Sequence, residues 1–230
     1  MPSWPLSTNF FRDENIDVTW SIVSSYLRSR NESIYVKDFL ATDILGPESE
    51  QDDQSAYRRA RRRRAAFYAT LLRADYPPPR GFAYSFVVNA RVMTMVNAKL
   101  NAGEQPFATN RGTIRLTAEQ LVRFWQAFHA AWQDRDQLQQ ADKTELERWS
   151  DVGLQAILTV FTASTGAGFR LLTPARVYHS ALQSADYAEE VLQHLIHGRI
   201  VIVDLSLGTE SVLQFCSERV VNHILNDAAR

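Results

Sequence analysis

The densest chemistry in the sequence is cationic. Arg58, Arg59, Arg61, Arg62, Arg63 and Arg64 fall within seven positions, and Asp52 and Asp53 lie just upstream. A guanidinium carries its donors as a rigid fork that matches phosphate geometry, so such a run fits contact with a nucleic-acid backbone. The same run also fits a solvated helix face partly neutralised by the acidic loop before it. Four consecutive residues sweep most of a helix circumference, so Arg61 to Arg64 cannot share one direction, and Arg64 falls near an apolar stripe. A second chemical position is Asp204, followed by Ser206, at the end of the run Ile200-Val201-Ile202-Val203. Carboxylates at the carboxyl ends of buried strands handle ligands in open α/β sheets. The plainer alternative is an Asp that accepts N–H groups of the following turn.

Other combinations are excluded or weak. A phosphate-binding loop needs glycines that wrap backbone N–H groups around phosphate and a lysine that reaches its oxygens. The chain has only Lys37, Lys99 and Lys143, and none follows a glycine. Residues 163–170 carry Gly166 and Gly168, but Phe169 and Arg170 stand where Lys and Ser or Thr are required, so the segment reads as a helix terminator. His194 and His197 share a helix face, yet two ligands do not make a metal site. Cys216, the single cysteine, lies on an apolar helix face and excludes an internal disulfide, which fits a reducing cytoplasmic interior. His129 and His179 form no nucleophile–base motif.

The elements that position these groups read mostly as helices. Of 230 residues 45% are apolar, enough for a core, and the 25 basic and 26 acidic side chains leave no overall field to attract a polyanion. No apolar run is long enough for a membrane span. Residues 1–13, with Pro2 and Pro5, read as an extended arm that packs on something. Spacing predicts a helix over 15–30 capped by Asp13, a short mixed stretch over 33–40, and a long basic helix from about residue 54 that stops at Pro77-Pro78-Pro79. Residues 82–100 alternate like a strand at first and then step like a helix, and helix is the favoured reading. Residues 101–112 are loop. Thr117 opens a helix, and a further one runs from Leu146 through Phe161. A helix over 187–197 ends at Gly198. The β-branched run 200–203 follows, read as a parallel strand covered on both faces, and then a last helix. Such a strand needs neighbours that the rest of the chain does not supply.

The segment from Tyr187 to Leu225 resembles the HerA-like branch of P-loop ATPases. In that family a helix leads through glycine into a strand of the form shown by Gly198-Arg199-Ile200-Val201-Ile202-Val203-Asp204-Leu205-Ser206, and a helix with Ser217-Glu218-Arg219 follows. The phrase over 170–180 is similar to what precedes this strand. Asp204, Ser206, Gly208, Glu218 and Arg219 are the positions that match. The resemblance implies an internal fragment of a hexameric, ATP-driven translocase of double-stranded DNA that works with a nuclease or a defence effector. It also implies ATP and Mg2+ for the full-length protein but no cofactor in this chain alone, because the phosphate-binding loop and the acidic Walker B strand are both missing from it. The expected architecture is mostly α with a small α/β portion. Residues 1–172 form a helical insertion, and 173–230 form a helix–strand–helix piece of an incomplete parallel ATPase sheet. The alternative is a non-enzymatic helical adaptor that binds nucleic acid or an acidic partner through Arg58 to Arg64.

Overall fold

The computed structural model describes residues 7–28, 33–47, 49–163, 168–183, 187–204 and 210–228, with the side chain of 211 left out. The chain is mostly helical with one small two-stranded antiparallel sheet. It divides into two compact units. One comprises Met1–Glu32, Tyr76–Arg80 and Leu172–Arg230, and the other Ser33–Asp75 and Gly81–Leu171.

The second unit is built around helix α3 (Gln54–Arg73), which packs against α5 (Ala118–Gln133), α7 (Val152–Thr162) and strand β1 (Ala83–Val87). Asp53 starts α3 by accepting the Ala56 N–H at 2.9 Å, and Asp75, in the left-handed region, turns the chain beyond its end. On α5, Leu121, Phe124, Trp125 and Phe128 recur at helical spacing and are all buried. Phe86 stacks on Trp125 at 5.6 Å, and Trp125 stacks on Trp149 at 6.0 Å, so aromatic rings link strand and helices. Thr117 and Gln120 form a capping box at the start of α5.

The ambiguous stretch 82–100 contains both readings in sequence: β1, then α4 (Ala90–Asn97), opened by Asn89 accepting the Val92 N–H. The partner of β1 is β2 (Thr113–Thr117), paired from Ala83↔Thr117 to Val87↔Thr113. Tyr84, Phe86, Ile114 and Leu116 form the buried face of the pair. The predicted helix from Leu146 to Phe161 is two helices, α6 (Gln140–Trp149) and α7. Ser150 takes an extended conformation between them, and Asp151 caps α7. The short stretch 33–40 is also helical, as α2 (Ile34–Leu40) with Ser33 at its N-cap.

The first unit packs α9 (Glu210–Ala228) against α8 (Tyr187–Ile196) and α1 (Ile16–Arg28). Residues 7–13 of the arm pack on the unit, with Phe10 fully buried, and residues 1–6 lie outside the described residues. Asp13 does not cap α1; it lies inside a 3-10 turn, Asp13–Asn15, that leads into the helix. His179 fastens the arm. Its Nδ1 accepts the Phe10 N–H at 3.1 Å, which leaves Nε2 to donate to the Pro77 carbonyl at 2.8 Å, so the ring is neutral. Phe10, Phe11 and Tyr76 surround it with ring centroids 5.3 to 5.6 Å away.

The parallel strand expected at 200–203 does not form among the described residues. The segment is unpaired, with Ile200 and Ile202 each 90% exposed. Periodicity reports that a segment suits a strand, but a strand also needs a partner, and the one sheet present, β1–β2, is antiparallel and lies in the other unit.

Candidate functional site: an arginine-lined cleft on the basic helix

Most of the arginines of α3 are committed to the protein itself. Arg61 donates to the Ser85 carbonyl at 2.8 Å and lies 4.4 Å over the Tyr84 ring. Arg63 donates through Nε to Asp151 Oδ1 at 2.9 Å and through Nη1 to the Asp43 carbonyl at 2.6 Å. Arg64 donates to the Ile44 carbonyl at 3.0 Å and to the Leu45 carbonyl. These three clasp neighbouring backbone, a use of guanidinium forks that sequence spacing does not reveal. Arg73, at the far end of the helix, donates likewise to Phe161.

The remaining members face a cleft of about 440 Å³ between the start of α3, the end of β1 and α6. Arg58, Arg59, Arg62, Arg148 and Trp149 line one part of it, and Asn89 with Glu145 another. Arg58 pairs with Glu50 at 2.8 Å, and Arg59 donates to Ser55 Oγ at 2.6 Å. Arg62 lies 4.7 Å over the Trp149 ring, and its buried Nε has no hydrogen-bond partner among the described residues. Burial is the main cause that lowers its pKa to about 10, helped by Arg59, Arg63 and Arg58 and opposed by Asp151, so the group stays charged at neutral pH. Arg148, on α6, is exposed and makes no hydrogen bond or ion pair among the described residues. Nothing singled it out in the sequence; only the fold brings it to the α3 run. In the same cleft Asn89 Nδ2 donates to Glu145 Oε1 at 2.7 Å, and Glu145 lies one turn before Arg148 on α6.

The family-motif positions do not assemble into a site. Asp204 is exposed at the end of the unpaired segment. Ser206 and Gly208 lie outside the described residues, as do residues 164–167 of the glycine-bearing stretch. Glu218 accepts from Gln214 at 2.8 Å within α9, and Arg219 reaches Asp17 at 3.2 Å, which ties α9 to α1. His197 donates to the Gln193 carbonyl, while His194 accepts from Arg199, which separates the two rings functionally. Among the described residues no group of three or more His, Cys, Asp or Glu is placed to hold a metal, and no helix is long and apolar enough to cross a membrane. Cys216 is buried, and burial raises its thiol pKa. No family model, curated protein or solved structure matches the chain.

Proposed function

We propose that this chain is a non-enzymatic helical binding module whose cleft, between α3 and α6, takes the phosphate-bearing surface of a nucleic acid. The observation that carries the reading is a pair of arginines in the cleft whose guanidinium Nη groups have no acceptor among the described residues: Arg62, half-buried against Trp149, and Arg148, exposed. Such forks can donate to a bound phosphate oxygen through charge-assisted hydrogen bonds. Arg58 and Arg59 add positive potential beside it. The test is the salt dependence of binding to duplex and single-stranded oligonucleotides. Replacing Arg62 and Arg148 with Gln is expected to flatten the slope of log K against log salt by about 2, since each lost phosphate contact removes about 0.9 on a duplex. An unchanged slope refutes the reading, and binding restricted to acidic polypeptides reassigns the cleft to a protein partner.

A second reading has its own observation. Residues 200–203 are four β-branched residues whose backbone groups have no hydrogen-bond partner among the described residues, and Ile200 and Ile202 are almost fully exposed. That suits a sheet strand whose neighbours come from elsewhere, as in an internal piece of a HerA-like hexameric DNA translocase acting with a nuclease or defence effector. Residues 163–170 do not fit the triphosphate-binding loop of such an ATPase, because they lack the lysine it requires. ATP and Mg2+ would therefore be held by other parts of such a protein. On this reading the purified chain neither binds nor hydrolyses ATP, and turnover above background would sink it.

A further inference from the structure

From the distribution of charge inside the cleft we infer that it is a receptor for a terminal phosphate monoester carried on a hydroxyl-bearing sugar. The ligand is either the 5′-phosphorylated end of a nucleic acid or a free nucleoside monophosphate. The inference rests on the phosphate-binding reading of the same cleft and narrows it.

Arg58 and Arg59 are already engaged by Glu50 and Ser55, so the forks that remain belong to Arg62 and Arg148. Two uncommitted positive charges match a monoester, which carries close to two negative charges at neutral pH, better than a phosphodiester, which carries one. Trp149 holds the Arg62 plane from below, so the fork is oriented before any ligand arrives.

The acidic member of the lining argues against a backbone passing through. Glu145, one turn before Arg148 on α6, places a carboxylate in the cleft, fixed by the Asn89 amide at 2.7 Å, while Asn89 itself is anchored by accepting the Val92 N–H at 2.8 Å. A second phosphate beside it meets like charge. A sugar hydroxyl meets an acceptor instead, because the second oxygen of Glu145 has no partner among the described residues. A cleft of about 440 Å³ is of the size that houses a small ligand rather than a groove that tracks a polymer. The cleft thus selects an end over a middle.

The experiment compares short single strands that differ only in a 5′-phosphate or 5′-hydroxyl, with the label at the 3′ end, by fluorescence anisotropy on the full chain. The 5′-phosphate is expected to tighten binding about tenfold. Arg148→Ala, at an exposed position that leaves the core intact, should abolish the preference. Glu145→Gln should narrow it by admitting the second phosphate. Competition by a nucleoside monophosphate as strong as by the phosphorylated strand assigns a free nucleotide; weaker competition assigns a polymer end. Equal, salt-dependent binding of both strands overturns this inference and leaves the phosphate-binding reading standing. Absence of binding to either strand and to the monophosphate overturns both.

Discussion

Removing the Asp151 charge decides what the arginine run is for. Asp151 Oδ1 accepts both Arg63 Nε and the Leu154 N–H, each at 2.9 Å, so one oxygen holds an ion pair and caps α7. The two side chains are 15% and 19% exposed, too enclosed for the pair to be a solvated surface contact. At 2.9 Å the attraction at an effective dielectric of about 20 is about 6 kcal/mol before desolvation. The net value of a hydrogen bond to a charged group is about 1.5 to 3 kcal/mol. Asp151→Asn keeps a capping oxygen and should cost about 2 kcal/mol, whereas Asp151→Ala also loses the cap and should cost about 3. Arg63→Lys should not restore the wild-type value, because a single ammonium cannot serve Asp151 and the Asp43 carbonyl as a fork does. The assay is urea unfolding of wild type, Asp151→Asn, Arg63→Gln and the double variant. A coupling energy below about 0.5 kcal/mol in that cycle would place Arg63 among the solvated arginines and refute the division between structural and ligand-facing members.

Other consequences are open to measurement. Gly46 has φ +61, and an added Cβ would meet Ala60 Cβ at 2.4 Å, so Gly46→Ala should destabilise by about 1 to 3 kcal/mol in urea titration. Burial lowers the His179 pKa from its ordinary 6.5. Its contribution is therefore fully present above pH 6.5 and is lost as pH falls from there toward the folded value, at up to about 1.4 kcal/mol per unit. His179→Asn should flatten that part of the stability profile, and an unaltered profile would refute the neutral clasp. Thr117→Ala should cost about 1 kcal/mol through loss of the capping box, read by hydrogen exchange at the first turn of α5.

Helices with wide apolar stripes were legible in the sequence because burial imposes the 3.6-residue period directly, as in α1, α3 and α5. β2 escaped because five alternating residues merge into a helix cap: Thr117 ends the strand and opens α5 at once. The break between α6 and α7 escaped because the apolar positions continue across it, while the break itself depends on Asp151 reaching Arg63. The run 200–203 shows the opposite failure, a strong local preference with no partner to satisfy it. For the cleft, the α3 arginines were legible as a charge run, but their division into clasps and free forks was not. That division depends on carbonyls at 43–45 and 85, and on an arginine from α6, all distant in sequence.

The bare segment at 200–203 also bears on handling the chain. Four β-branched residues without charge or proline are a template for identical copies to stack upon, and the flanks supply only Arg199 on one side and Asp204 on the other as guards. Because these guards are opposite in sign, they favour an antiparallel stack rather than oppose it. Replacing Ile202 with Lys would turn the template into a repellent, and a gain in soluble yield over the wild-type chain would show that copies stack through those few residues.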